Sequence, residues 1–189
     1  MMIFLILLPF GVFSLLMLAG SPESALFAAA ASGLAVIAWD AWRGRRQIKM
    51  LGAGSVALFL GLGLYLAFVD AGLSASAIKL TVDIGLLAVA LVSLAIGFPF
   101  TLQYGREVVD AETAALPGFI RANYVITWAW TGCMVLMMVG NILMIYLPGL
   151  PLWSGIVVAF AARNTAVYFT KWYPEYRKAK YGVTAASAS

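Results

Sequence analysis

Histidine is absent from all 189 residues, and cysteine occurs once, as Cys133 inside an apolar run. Those two absences exclude haem or chlorophyll held by an axial imidazole, histidine-based zinc and copper sites, cysteine-ligated clusters, histidine-dependent hydrolase triads and any disulfide within the chain. Charge is scarce as well. Only 11% of residues are Asp, Glu, Lys or Arg against 63% hydrophobic, which is too little polar surface for an ordinary soluble domain. No Walker loop, GxSxG elbow, HExxH helix, CxxC pair or dinucleotide fingerprint occurs, so an enzymatic reading is left with isolated carboxylates. No catalytic residue is assigned, and neither a cofactor nor a metal is expected. The net charge of +4 does not point to nucleic acid, because the basic residues cluster beside apolar runs, where they orient a membrane protein.

What is present is apolar sequence of lipid length. Residues 2–19, 25–42, 51–69, 78–97, 124–146 and 152–173 approach or reach the roughly 17 to 25 residues of a spanning helix. The expected fold is all-α, a polytopic bundle of about six spans forming one domain over 1–173, followed by a partly disordered cytoplasmic tail over 174–189. Pro9 and Gly11 are expected to kink or divide the first helix, and a version in which that segment only dips into the bilayer stays open. Basic residues fall in alternate loops: Arg43, Arg45, Arg46 and Lys49 in the second, Arg106 and Arg121 in the fourth, and Lys171, Arg177, Lys178 and Lys180 at the end. By the positive-inside rule both termini then lie in the cytoplasm. Gly54, Ala57 and Gly61 form a small-residue stripe at helical spacing, suited to close helix packing.

The longest polar interruption runs from Phe98 to Asn123. Gln103, Arg106, Glu107 and Asp110 recur at i, i+3, i+4 and i+7, opposite Phe98, Leu102 and Val109. That period predicts an amphipathic helix over about 99–112 in the cytoplasmic interface. Its four polar residues form a candidate docking face for a protein partner or for anionic lipid.

Charge inside a span costs about 2.5 to 3.5 kcal/mol at the bilayer centre and marks candidate function. Lys79 and Asp83 are four residues apart and can pair on one helical face. Arg163 is the deepest, about 16 Å along its helix from Leu152, with Asn164 beside it. Its available acceptors are Asp83, Asp40 and carbonyl oxygens including those of Asn141 and Asn123. Asp83, Lys79, Arg163, Asn164 and Asn141 therefore make up the candidate intramembrane polar site. Asp40, one turn from the basic cluster, is expected to pair with Arg43 or a neighbouring arginine. Thr127, Trp130 and Thr131 share a face suited to hydrogen bonds between helices.

The run Trp42-Arg43-Gly44-Arg45-Arg46-Gln47-Ile48-Lys49-Met50, then Phe59-Leu60-Gly61-Leu62-Gly63-Leu64, Ala77-Ile78-Lys79-Leu80-Thr81-Val82, and Gly105-Arg106-Glu107 leading to Trp130 and Asn141 resembles the intracellular septation protein A (YciB-like) family in order and spacing. The resemblance covers most of Met2 to Tyr146. It implies a small inner-membrane protein linked to envelope integrity and cell division through membrane or cytoplasmic protein partners, with no catalytic residues to carry over. The leading expectation is thus a non-enzymatic membrane protein whose surroundings are the lipid bilayer and such partners, with association between copies of the chain left open. A small transporter or channel using Asp83, Lys79 and Arg163 is the first alternative. An accessory subunit of a larger membrane complex is the second.

Overall fold

Helix starts follow the capping chemistry of the sequence. Ser21 accepts the Ser24 amide at 3.2 Å ahead of Pro22, and Ser74 accepts the Ala77 amide at 3.2 Å; each satisfies a donor that a helix leaves open in its first turn. The computed structural model describes residues 2–44, 49–147 and 149–181. Among these residues there are eight α-helices and no strands: α1 (Met2–Ala19), α2 (Pro22–Trp42), α3 (Met50–Phe68), α4 (Ala75–Ala95), α5 (Phe100–Gly105), α6 (Ala111–Ala115), α7 (Pro117–Tyr146) and α8 (Leu152–Tyr181). Four of them, α2, α3, α4 and α7, are long and apolar enough to cross a membrane, and α1 adds a shorter apolar stretch, Leu7–Leu18.

Each long helix packs on the next, in the order α1, α2, α3, α4, α7, α8, with α5 and α6 against α7. Phe10 and Phe13 of α1 meet Phe59 of α3 at ring-centroid separations of 5.8 and 5.4 Å. Ala25, Ala29 and Ala30 of α2 are fully buried, and side chains this small let neighbouring helices close up. Between α3 and α4 the fit is reciprocal. Leu58 sits over Gly85, and Val89 sits over Gly54. Of the expected stripe only Gly54 is used this way; Ala57 is exposed and Gly61 has open space beside it. Leu64, Phe68, Ile84, Trp128 and Phe160 are exposed, a load of outward apolar surface that suits contact with lipid.

Several boundaries differ from expectation. The first helix is not divided: α1 runs through Pro9, whose buried ring packs beside Gly33 of α2. That contact offsets the one amide bond a proline forfeits. The fifth expected span begins earlier, because Pro117 sits at the first turn of α7, where its missing N–H costs nothing. At the other end α8 continues through Pro174 to Tyr181, replacing the start of the expected tail. Stacked pairs Phe169–Tyr173 and Trp172–Tyr176, both at 5.1 Å, lie one turn apart and support that extension. Arg177 ties it to α7 by donating to the Gly118 carbonyl at 3.0 Å. Residues 182–189 of the expected tail lie outside the described residues.

The amphipathic helix over 99–112 is not one helix. α5 and α6 are short, separated by turns at 106–109. The chain enters α5 through a left-handed Gly97 (φ 75°). There the Gly97 amide bonds Leu94 O at 3.1 Å and the Phe98 amide bonds Ser93 O at 3.0 Å, the paired closure that only glycine accommodates without strain. Phe100, Thr101, Leu102 and Gln103 are all buried. Leu102 therefore packs inside the protein and not against lipid.

The α3–α4 contact gives a test. A Cβ on Gly54 would lie 2.6 Å from Val89 Cγ2, on a side chain stiff at χ1, whereas nothing lies within 4 Å of Gly61. Gly54→Ala should destabilise by about 1 to 3 kcal/mol through overpacking. Gly61→Ala should gain about 0.5 to 1 kcal/mol of helix propensity. Thermal unfolding in detergent reads the difference, and a Gly54→Ala protein as stable as Gly61→Ala would contradict the packing.

Candidate functional site

The antiparallel run of helices leaves a cleft of about 900 Å³ between α1, α4, α7 and α8, with α5 at one end. Its middle is apolar, with Leu86 of α4 and Ile126, Trp130, Met134 and Met137 of α7 on the wall. Trp130 is held in place by donating its indole N–H to Thr170 Oγ1 of α8 at 2.9 Å. Its neighbours on the same face bond elsewhere: Thr127 to Thr101 of α5 at 2.7 Å, and Thr131 to the Thr127 carbonyl at 2.9 Å. The single cysteine, Cys133, also lines the cleft.

Four polar residues from three helices converge on this wall: Lys79 and Asp83 of α4, Asn141 of α7 and Arg163 of α8. Asn141 Nδ2 donates to Asp83 Oδ2 at 2.6 Å. Lys79 and Arg163 lie within electrostatic reach of that carboxylate, but among the described residues neither makes a direct ion pair or hydrogen bond. The expected Lys79–Asp83 pair is thus replaced by an Asp83–Asn141 bond between helices. Asn164 does not join the group. One residue along an α-helix turns the side chain by about 100°, and Asn164 is exposed and donates to its own helix at Phe160 O, 2.7 Å away.

A second polar cluster, which sequence periodicity misassigns, closes the region where α2, α3 and α5 meet. Lys49 Nζ lies 2.6 Å from Asp40 Oδ2 and 3.1 Å from Glu107 Oε2, with side-chain exposures of 10% for Lys49 against 14% and 16% for the two carboxylates. The ammonium also stands 4.9 Å from the Tyr104 ring centre. Burial pushes the Tyr104 hydroxyl well above its usual pKa, and the charges of Asp40 and Glu107 raise it further. Gln103 Oε1 accepts the Met50 amide at 2.7 Å, serving as a distant cap for α3, whose own N-cap residue Lys49 makes no side-chain cap bond. Of the expected docking face, Gln103 and Glu107 are therefore turned inward, because buried partners claim them. Arg106 and Asp110 remain exposed. Arg43, expected near Asp40, stacks on Trp39 at 4.8 Å; Arg45 and Arg46 lie outside the described residues.

The chemistry available is binding. One end of the cleft offers two cations and an amide-held carboxylate, and the body offers an adaptable apolar wall, since methionines re-pack easily. Four helices long enough to span, α4 and α7 of the cleft wall among them, fit a multi-pass membrane protein. Comparison with known protein families, with characterised proteins and with solved structures returns no match in any of the three.

Two outcomes follow from the second cluster and its surroundings. Lys49→Met removes the sheltered ammonium that Asp40 and Glu107 share, so it should lower the melting temperature, by the equivalent of about 1.5 to 3 kcal/mol for a hydrogen bond between charged groups. An unchanged melting temperature for Lys49→Met would rule out the cluster as a structural tie. Asp110 caps α6 by accepting the Thr113 amide at 2.7 Å and its hydroxyl at 3.0 Å, which holds its carboxyl below the ordinary value. Its contribution is complete above the unfolded carboxyl range, near about pH 4, and lost as pH falls through the lower folded value. Hydrogen exchange at Ala111–Ala115, corrected for intrinsic rate, should accelerate only in that acid range.

Proposed function

We propose that the chain is a small carrier of the bacterial cytoplasmic membrane. It has six spans, both termini in the cytoplasm, and a solute site in the cleft between α1, α4, α7 and α8. The observation that carries this is Arg163 and Lys79 facing a cavity of about 900 Å³ without a direct partner among the described residues. A group that served only to bind helices together would tie its cations to acceptors, since unpaired charge away from water is costly. Here only Asp83 and Asn141 are tied, and the cations are left for something else. The orientation rests on the distribution of Lys and Arg, which puts the α2–α3 turn, the α4–α7 connector and the chain's end on one side.

Cys133, the single thiol, tests the cleft directly. In liposome-reconstituted protein a small charged thiosulfonate reagent should modify Cys133, and Met137→Trp, which fills the adjacent wall, should slow modification at least tenfold. Modification seen only after denaturation would dismiss the cleft as a solute site. Cytoplasm-dependent fluorescent fusions should report at both ends, and silence at either end would remove the six-span orientation.

A second reading follows the resemblance to the septation protein A family: an envelope role through protein partners, including service as a subunit of a larger complex. Arg106, Val108 and Asp110, all exposed on the α5–α6 turn, favour it. In-cell crosslinking from position 108 should yield a defined adduct that Arg106→Glu with Asp110→Lys abolishes; identical products from both proteins would count against it.

A further inference from the structure

We infer that the cleft binds an anionic amphiphile, with a carboxylate or phosphate head between Lys79 and Arg163 and a hydrocarbon body along Leu86, Ile126, Met134 and Met137. This rests on the cleft being a solute site, and it names the class of solute.

Charge balance selects the head. The polar end carries Lys79 and Arg163 against Asp83 alone, an excess of one positive charge. The Asp83 carboxylate is already engaged by Asn141 at 2.6 Å, while neither cation has a direct partner among the described residues. An arriving anion therefore meets two open donor groups and an opposite net charge. Arginine's planar fork suits either a carboxylate or a phosphate. At the far end of the cleft Asp110 and Lys178 balance each other, and Lys178 is also paired to Glu175 at 3.2 Å, so no comparable excess occurs there.

The wall selects the body. Between the two ends the lining is mostly aliphatic, aromatic and thioether, and of its few polar side chains Thr101, Asn123 and Thr170 already bond within the protein. Of the simple ligand classes, a cation would meet the wrong sign, and an inorganic anion would leave the apolar length unfilled. A neutral hydrocarbon would cover two cations without compensating them. Only a molecule with one anionic end and one apolar end answers both parts, and about 900 Å³ is within the range of small-molecule sites.

The test uses the full chain in detergent micelles and a fluorescent polyene fatty acid, excited by energy transfer from Trp130 on the cleft wall. Wild-type protein should give saturable transfer that Trp130→Phe diminishes. A long-chain acid and an alkyl phosphate should displace the probe, their relative potency identifying the preferred head. An alcohol of equal length should be at least tenfold weaker, and acetate or inorganic phosphate should not compete. Arg163→Gln should weaken acid binding at least tenfold and leave the alcohol unchanged, with partial recovery in Arg163→Lys; Lys79→Gln, nearer the helix end, provides the same test at a less buried site. Equal potency of acid and alcohol, displacement by inorganic phosphate as strong as by the acid, or unchanged acid affinity in both Gln variants would overturn the proposal. Cys133 separates the two levels. Reagent access to Cys133 without saturable probe binding defeats the amphiphile and spares the solute site, whereas no access in the native protein defeats both.

Discussion

A backbone group that leaves a helix inside a protein must find another partner, and the stretch from Gly97 to Leu116 is where this chain meets that constraint. Its solution draws on every neighbouring element. The end of α4 closes on itself through Gly97, Ser93 Oγ accepts the Phe100 amide at 3.1 Å, Thr101 donates to the Asn123 carbonyl at 2.9 Å, and Gln103 reaches the first amide of α3. Gly105 completes the fit. A side chain there would press on Phe119 and Asn123 at 3.0 and 3.1 Å, so its absence lets α5 lie against α7. Fixed in this way, α5 contributes Phe100, Thr101 and Tyr104 to one end of the cleft.

The two polar clusters differ in a way that bears on their roles. Around Lys49 the charges are mutually engaged and sheltered, which makes a tie between segments and leaves little to offer a ligand. Around Arg163 the carboxylate is engaged by an amide and, among the described residues, the cations have no direct partner. Both clusters place costly groups away from water, but only the second leaves attractive charge directed at empty volume. The proposed solute site accordingly lies on the cleft wall, while the Lys49 group joins the end of α2, the start of α3 and the turn after α5.

Much of the architecture is legible in the sequence. Ser21 and Pro22 mark the start of α2 by local chemistry that needs no tertiary knowledge, and the apolar runs become long helices, although α4 and α7 begin ahead of their runs, after Ser74 and at Pro117. Lys79, Asp83, Asn141 and Arg163 are legible as a group because charge in an apolar run stands out. Their grouping on one wall is a property of helix order, which sequence spacing does not encode. The connector misleads for a definite reason: Gln103 and Glu107 recur with Arg106 and Asp110 at helical spacing, and periodicity alone cannot distinguish a solvent face from one aimed at a buried amide and a buried lysine. Asn164 misleads through adjacency, since neighbours in sequence point different ways on a helix. The Lys49 cluster joins residues from three segments, and no local pattern announces it.

The bond between Gln103 and Met50 spans 53 residues, and Lys49 likewise reaches forward to Glu107. During synthesis from the N-terminus, Asp40, Lys49 and the open end of α3 are all made before the connector that they receive. The first half of the protein thus carries the groups to which the second half is joined, and neither bond can close until residue 103 has been made.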